Sequence, residues 1–267
     1  MFKIIGELIN TTRKKVKEAA EARDAAFIRD LAERQVRAGA AFIDVNGGGR
    51  AGHELETMSW LLDVVQEASG DVPLSLDSND PAVLRLACEK VLVTPLINSI
   101  SLETGRWNGL SSFLNGRDCD VLALCLDDSG LPKTLRDILD RAEKLIHGLN
   151  ELGFPNHRIY IDPLIQPIAT DATKGRTVMT AVTSIMEMFP GVHTCCGLSN
   201  ISFGLPQRRV VNRYFLALMI SAGLDSAILD PLDGKMMEAV WTSEMLVGRD
   251  RFCRNYLGAA RAGGIEA

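Results

Sequence analysis

The residues best suited to chemistry in this 267-residue chain are carboxylates and carboxamides that close short apolar runs. A carboxylate accepts two N–H donors at once, and a carboxamide both donates and accepts, so the set suits a planar heterocycle with a mixed edge. The same residue types cap helices and form turns, and capping explains any single position equally well. The positions are Asn10, Asn46, Asp77, Asn98, Asp127, Asp162, Asn200 and Asp230.

The sequence lacks the usual signatures of nucleophilic catalysis and of phosphate binding. No serine lies in a Gly-x-Ser-x-Gly elbow, and no cysteine has an obvious histidine partner. The run Gly47-Gly48-Gly49 is followed by no lysine and hydroxyl residue of a P-loop, and it matches no dinucleotide fingerprint. The candidate site therefore allows a narrower range of chemistry than a general polar site, because its side chains are mainly acids and amides.

Metal ligands are also not indicated by the spacing. His53 with Glu54 and Glu56 does not form an HExxH motif. Cys195 and Cys196 could contribute to a zinc site, but adjacent side chains of an extended strand point to opposite faces, which favours a role in the core. We expect no tightly bound metal and reduced, mostly buried thiols. The cysteines are Cys88, Cys119, Cys125, Cys195, Cys196 and Cys253.

Eight apolar runs that alternate with helical patterns must position these groups. Asp24 is a suitable N-cap and Gly39 a suitable stop for one helix, and Asp80-Pro81 opens another. The alternation, in a chain close to the usual barrel length, predicts a single-domain (β/α)8 TIM barrel over residues 1–267, with a helical tail from about 249. Strands are predicted at residues 2–8, 41–46, 72–76, 91–97, 120–126, 158–161, 193–198 and 226–229.

The polar strand ends of such a barrel share its C-terminal face, where sites are built. We interpret residues 193–198 as a barrel strand that delivers Asn200 into the pocket. Gly204 and Pro206 then interrupt regular secondary structure before the next helix. Further helices are predicted at about residues 54–68, 102–114, 134–152, 173–189, 210–219 and 235–247.

The composition is that of an ordinary soluble globular protein, with 46% hydrophobic and 24% charged residues. The formal net charge is −5, and the 29 lysines and arginines are scattered, so nucleic acid is not an expected partner. The N-terminus shows no secretory signal, and no apolar run approaches the roughly 20 residues that span a bilayer. We expect a cytoplasmic protein that does not bind membranes.

Five short motifs, in order, resemble the pterin-binding methyltransferases that act on methyltetrahydrofolate. That family includes the methyltetrahydrofolate:corrinoid iron-sulfur protein methyltransferase and the folate domain of cobalamin-dependent methionine synthase. Each motif alone is weak, but the five together cover the chain from residue 3 to about 230. The motifs are Gly6-Glu7-Leu8-Ile9-Asn10, Leu76-Asp77-Ser78, Ile97-Asn98-Ser99, Tyr160-Ile161-Asp162-Pro163-Leu164 and Gly197-Leu198-Ser199-Asn200.

The resemblance implies a role for particular residues. Asp77, Asn98 and Asp162 match positions that hydrogen-bond the pterin ring, and Asn200 matches the asparagine near N5, the nitrogen that carries the methyl group. Arg208 aligns with an arginine that lines the same pocket. One position departs from the corrinoid iron-sulfur branch, which has glutamine where this chain has Phe203. We add three further candidates, Glu7, Asn46 and Ser199.

The resemblance also implies an activity and its partners. It implies transfer of a methyl group between N5 of tetrahydrofolate and the cobalt of a corrinoid (cobalamin) on a separate protein, by a homodimeric barrel. The substrate is tetrahydrofolate or 5-methyltetrahydrofolate, and the direction of transfer stays open. Two alternatives remain: a dihydropteroate synthase-like pterin enzyme, and a non-catalytic protein that binds folate or docks a corrinoid protein. The chain lacks the basic C-terminal motif expected of the synthase.

Overall fold

Eight parallel strands form the inner layer of the fold in residues 1–265, the part of the chain that the computed structural model describes. They are β1 (Lys3–Asn10), β2 (Phe42–Asn46), β3 (Leu74–Asp77), β4 (Leu96–Leu102), β5 (Asp120–Asp127), β6 (Ile159–Asp162), β7 (His193–Thr194) and β8 (Ser226–Leu229). Each strand from β1 to β7 pairs with its neighbour in the sequence, and β1 also pairs with β8. This order confirms the predicted (β/α)8 TIM barrel.

The barrel closes between β7 and β8, the two strands at the ends of the sheet order. A parallel bridge joins Gly197 to Ile228, and the Ile228 N–H donates to the Cys196 carbonyl at 3.0 Å. The Ser226 hydroxyl donates to the Thr194 carbonyl at 2.7 Å. The segment after β7 therefore continues the wall of the barrel by single contacts instead of a regular ladder.

Helices cover the outside of the strands. The first helix was not predicted, whereas the later ones follow the predicted alternation. In residues 1–265 they are α1 (Lys14–Glu21), α2 (Ala25–Arg37), α3 (Glu54–Ser69), α4 (Pro81–Lys90), α5 (Thr104–Leu114), α6 (Leu135–Glu151), α7 (Lys174–Met188), α8 (Arg208–Ser221), α9 (Gly234–Leu246) and α10 (Arg254–Arg261).

Local signals in the sequence set several helix ends. The Asp24 carboxylate accepts the Phe27 N–H at 3.1 Å at the start of α2, and Gly39 follows that helix with a φ of +91°. Asp80 accepts the Ala82 N–H at 2.8 Å, with Pro81 in the first helical position of α4. These contacts confirm the predicted caps of both helices.

An apolar floor crosses the inside of the barrel below its C-terminal end. Five strands and the residue that follows β7 each contribute one buried side chain to this floor, and the Phe42 and Tyr160 rings meet edge to face with centroids 6.2 Å apart. Because side chains alternate along a strand, the next inward positions lie above the floor. The floor consists of Ile5, Phe42, Leu96, Leu122, Tyr160 and Cys195.

The predicted bounds of two strands are wrong. Residues 91–95 form a loop in which Leu92 is 89% exposed, and β4 begins only after Pro95. Asn98 is therefore the third residue of its strand and not the residue that ends it. The β-branched residues of this loop suggested a strand, but an exposed apolar side chain gains nothing from sheet pairing.

The prediction that the seventh strand delivers Asn200 is also wrong. β7 ends at Thr194, and Asn200 lies in a 3₁₀ helix at Leu198–Ser202. The partner strand β6 is followed by Pro163, which has no N–H to extend the ladder. The chain after β7 is thus free to turn, and the turn carries the asparagine.

Candidate active site

A polar layer lies directly above the apolar floor. Glu7, Asp44, Asn98 and Asp162 each follow a floor residue by two positions, so they point into the same end of the barrel. Three of the four are almost completely buried, and Glu7 is partly exposed. A buried polar layer of this kind requires hydrogen-bond partners, and the partners show how the site is organised.

Asp44 is a residue of this layer that we did not predict. Its carboxyl accepts the Ser75 hydroxyl at 2.6 Å and the Asn98 side-chain N–H at 3.1 Å. Burial, and then the nearby Asp77, raise the pKa of Asp44 well above its ordinary value. The contact orients the Asn98 carboxamide, because its nitrogen is committed to Asp44 and its oxygen is left to accept. Asp44 lies two residues before Asn46, a spacing that could have revealed it.

Asp77 and Asn46 meet at the ends of neighbouring strands. The Asn46 side-chain N–H donates to an Asp77 carboxylate oxygen at 2.9 Å. Burial raises the pKa of Asp77, while the Asn46 hydrogen bond and then Arg106 act in the opposite direction. The structure therefore brings together two residues predicted separately, and it leaves the second carboxylate oxygen of Asp77 available to a ligand.

Arg106, in the first turn of α5, supports this side of the site and was not predicted. Its guanidinium donates to the Ser99 carbonyl at 2.9 Å and to the Ser78 carbonyl at 2.6 Å, and it also contacts the Asn79 carbonyl. These carbonyls belong to the segments that carry Asp77 and Asn98. No spacing in the sequence identifies this role of Arg106, because the three carbonyls that accept its hydrogen bonds come together only in the folded structure.

Asp162 occupies the opposite part of the layer, at the end of β6. The Leu164 N–H donates to it at 2.7 Å, and the Gly197 N–H also donates to it. The side chain is 6% exposed, and burial raises its pKa to about 7, against the lowering effect of these two bonds. Gly197 begins the turn that carries Asn200, so Asp162 and Asn200 are held by one short segment.

Asn200 and Arg208 lie at the exposed mouth above Asp162. The Asn200 carboxamide forms no hydrogen bond to any protein group within residues 1–265. Arg208 donates to the Ser199 carbonyl at 2.7 Å and to the Ser202 hydroxyl at 3.1 Å. Arg208 therefore fixes the 3₁₀ helix, while Asn200 stays available. Phe203, the departure noted above, is 65% exposed beside them.

Glu7 lies on the side of β1 and β8. Its carboxylate forms an ion pair with Arg13 at 2.6 Å. Burial raises the pKa of Glu7, Arg13 lowers it, and Asp230 raises it. Glu7, Ser199 and Asp230 line one cleft at this end of the barrel, so two of the three further candidates share a surface.

Five of the eight polar strand ends accept an N–H in a local turn, as the capping explanation predicted. Among them, Asn46 accepts the Gly48 N–H at 2.9 Å and Asp162 accepts the Leu164 N–H at 2.7 Å. Asn10 accepts the Thr12 N–H at 2.9 Å, Asp127 accepts the Ser129 N–H at 2.9 Å, and Asp230 accepts the Leu232 N–H at 2.8 Å. Side chains that satisfy their own turn have less capacity left for a ligand. The burial of the inward-pointing positions, and not the absence of a turn contact, makes them the stronger candidates.

Cys195 and Cys196 are both fully buried, which confirms the expected burial of this pair. Across residues 1–265, no cluster of three or more histidine, cysteine, aspartate or glutamate residues has the arrangement of a metal site. In the same range, no helix is both long enough and apolar enough to cross a membrane.

A family model described as pterin binding enzyme matches residues 6–230. The chain is 36% identical over 264 residues to the methylcorrinoid:tetrahydrofolate methyltransferase of Eubacterium limosum, covering 98% of this chain and 97% of that one. It is 33% identical over 242 residues to the methionine synthase of Mycobacterium tuberculosis, covering 85% of this chain but 20% of the larger protein.

Solved structures share the fold at much lower sequence identity. Dihydropteroate synthase from Xanthomonas albilineans, in complex with 7,8-dihydropteroate, has a TM-score of 0.68 and 17% identity, with 92% of this chain and 93% of that chain covered. The Coxiella burnetii enzyme, in complex with pteroic acid, has a TM-score of 0.70 and 16% identity, with 91% and 94% covered. These values establish the shared barrel alone. The family match over residues 6–230 and the relative that is 36% identical over nearly the full length lead to one conclusion: the chain belongs to the pterin-binding enzyme family.

Proposed function

We propose that this protein is a methyltransferase that moves a methyl group between N5 of tetrahydrofolate and the cobalt of a corrinoid held by a separate protein. One observation carries the proposal. A free carboxamide, Asn200, stands at the mouth of a buried layer of acids and amides, in a chain similar over nearly its full length to a methylcorrinoid:tetrahydrofolate methyltransferase. The same path serves both directions of transfer.

The acids and amides of the layer fit a pterin ring. A pterin presents adjacent N–H donors and a carbonyl acceptor along one edge, and Asp77 and Asp162 offer carboxylate oxygens at the ends of β3 and β6. Asn98 adds an acceptor whose direction Asp44 determines. Because these groups are already positioned and desolvated, they hold the ring without further reorganisation. Pterin binding is thus the first task that we assign to the layer.

The second task is to stabilise charge at N5. A methyl group on a tertiary amine is a poor electrophile, because the nitrogen leaves as an anion unless a proton or a strong hydrogen bond stabilises it. The Asn200 carboxamide can turn to donate to N5, or to accept from it once it is protonated. Its freedom from other hydrogen bonds suits this exchange.

The protein itself supplies no nucleophile in this scheme. The corrinoid, on its own carrier protein, supplies the cobalt that exchanges the methyl group with the folate. Cys125, Cys195 and Cys196 are completely buried, and burial raises the pKa of each thiol, so none is poised to attack. The residues of the barrel bind, orient and protect the reacting nitrogen.

We also propose a homodimer that forms through α8. Val210, Tyr214 and Leu218 recur every fourth residue on this helix and are 42%, 68% and 51% exposed. An apolar stripe of this length on one helix is typical of a contact surface. A cytoplasmic location fits the six free cysteines.

Single-turnover absorption spectroscopy tests the proposed reaction. Mixing the protein with cob(I)alamin and 5-methyltetrahydrofolate should remove the cobalt(I) absorbance as methylcobalamin forms. Binding of the folate without any spectral change favours the non-catalytic alternative. Formation of dihydropteroate from a pterin pyrophosphate and p-aminobenzoate favours the synthase.

A further inference from the structure

The seam between β7 and β8 is closed by side chains at the N-terminal end of the barrel. Thr194, the last residue of β7, is completely buried. Its N–H donates to an Asp225 carboxylate oxygen at 2.9 Å, and its carbonyl accepts the Ser226 hydroxyl at 2.7 Å. Within residues 1–265, β7 and β8 share no ladder. These two side chains therefore take the place of the backbone partners that the other pairs of neighbouring strands supply.

Asp225, the residue that precedes β8, also contacts the strands on both sides of β8. Its backbone carbonyl accepts the Lys3 N–H of β1 at 2.8 Å. Its second carboxylate oxygen lies 2.5 Å from Nδ1 of His193, the first residue of β7. A single residue thus connects β1 and β7 at the point where the barrel closes.

The negative charge of Asp225 is compensated through His193. Lys3 Nζ lies 3.1 Å from Nε2 of His193 and donates to the Tyr160 hydroxyl at 2.5 Å. Because an ammonium group has only donors, Nε2 of the imidazole accepts, and the Nδ1–H then donates to Asp225. The Tyr160 ring stacks on the imidazole, with the two centroids 4.7 Å apart. His193 therefore links a lysine to the carboxylate and holds that carboxylate in place.

The chain leads from this closure directly into the candidate active site. Gly197 lies three residues after Thr194 and forms a bridge with Ile228 of β8. The Gly197 N–H donates to Asp162. The 3₁₀ helix that carries Asn200 begins at the residue after Gly197. A displacement at Thr194 therefore moves both the donor to Asp162 and the helix of Asn200, because a packed interior transmits such a shift.

We propose that Asp225 and Ser226 are positioning residues, which fix the segment of residues 194–200 along one side of the candidate active site. Ser226 pairs with Lys3, two residues before the floor residue Ile5. Both positioning residues therefore lie on the far side of the apolar floor from the polar layer, and they act on the site through the segment alone. The effect on folate rests on the proposed function, whereas the closure of the seam is a property of the fold.

Amide hydrogen exchange tests the closure without assuming any activity. Asp225→Ala leaves the buried Thr194 N–H without its acceptor, so the amides of residues 194–200 should exchange roughly tenfold faster. Ser226→Ala removes only one hydroxyl and should have the same effect to a smaller degree. Amides of β3 and β4, on the opposite wall, should change no more than in Ile146→Val, a core substitution in α6. Wild-type exchange of residues 194–200 in both seam variants overturns the proposal.

The pH dependence of folate binding gives a second measurement, which a purely structural role would not change. A hydrogen bond to an ionised carboxylate lowers its pKa, so displacement of the Gly197 N–H raises the pKa of Asp162. The pH midpoint of folate affinity should therefore rise by roughly 0.5–1 pH unit in Asp225→Ala. The titratable groups beside Asp162 in residues 1–265 stay neutral, because burial raises the pKa of each thiol. They are Cys125, Cys195 and Cys196.

The outcomes separate the positioning role from the proposed function. Ile146→Val is the matched control, and its midpoint should equal that of the wild-type protein. An unmoved midpoint in Asp225→Ala, or an equal movement in Ile146→Val, overturns the positioning role. Absence of folate binding by the wild-type protein contradicts the proposed function instead, and hydrogen exchange then still shows whether Asp225 and Ser226 close the seam.

Discussion

Asp162 shows most directly how burial prepares a single residue for its task. The side chain has two backbone N–H partners and no cation among its hydrogen-bond and ion-pair contacts in residues 1–265, and burial raises its pKa to about 7. A ligand that presents N–H donors replaces the lost hydration and favours the ionised form. Folate affinity should therefore fall as the pH drops below about 7.

The raised pKa of Asp162 also predicts how stability depends on pH. Between the unfolded pKa of about 4 and the folded value of about 7, the folded state binds more protons, so this group lowers the free energy of unfolding as the pH rises. Relative to Asp162→Asn, the ligand-free wild-type protein should lose on the order of 2–4 kcal/mol between pH 4 and pH 8.

Chemical denaturation of both proteins at several pH values measures this difference. Asp44 is present in both proteins, so its own titration cancels in the comparison. The variant should also bind folate more weakly at pH 8, because an amide cannot accept two N–H groups as a carboxylate does. If the free energy of unfolding changed with pH in the same way for both proteins, Asp162 would not cause the loss of stability at high pH.

Asn200 should affect the rate more than the affinity. We expect Asn200→Ala to slow methyl transfer at saturating folate by roughly 100-fold, as removal of a donor to developing charge does elsewhere. Folate binding, measured by calorimetry, should change little. Asp77→Ala is the contrasting variant, because it removes a proposed contact to the ring and should weaken binding first. An unchanged rate for Asn200→Ala would falsify its assigned role.

At the level of the elements, the alternation of side chains along a strand explains why the polar layer of the site lies directly above the apolar floor. The apolar floor and the polar layer above it are two residues apart on β1, β2, β4 and β6. The sequence pattern was sufficient to predict the barrel, its order and most of the strand ends. It was not sufficient to predict Asp44, because this residue lies two positions before the end of β2 and the prediction rested on the polar residues that end strands.

The remaining misses have physical causes that the sequence does not display. The apolar run before Asn200 could have formed a regular strand, but β6 stops at a proline, so its ladder with β7 does not extend along this run. Arg106 donates to carbonyls of β4 and of the segment that follows β3, a contact that depends on the final arrangement of β3, β4 and α5. Contacts between elements, unlike patterns within one, require the packed structure.

The loop between β2 and α3 provides a prediction for one element. Gly49→Ala should lower the free energy of unfolding by about 2 kcal/mol or more, because the new methyl group meets the Thr11 carbonyl. Gly258→Ala, in the exposed middle of α10 with open space around it, should be neutral or slightly stabilising. Urea denaturation of both variants measures the effect, and equal stabilities would mean that the loop can move away from the turn.

At the level of the whole molecule, the exposed stripe of α8 predicts the assembly. Tyr214→Glu places a charge in the middle of the stripe and should convert the proposed dimer to a monomer in sedimentation experiments. Leu92→Glu is the matched control, since Leu92 is 89% exposed in a loop away from α8. A dimer that survives Tyr214→Glu but not the control would place the interface elsewhere.

The apolar floor has a consequence for the order of events. It closes one end of the barrel, so in the proposed function the folate and the cobalt both reach the reacting atoms through the C-terminal mouth. We therefore expect the small folate to bind first and the proposed carrier protein to cover it afterwards. Initial-rate plots should intersect, as for a ternary complex, and an excess of carrier protein at low folate should inhibit the enzyme by closing the mouth of an empty barrel.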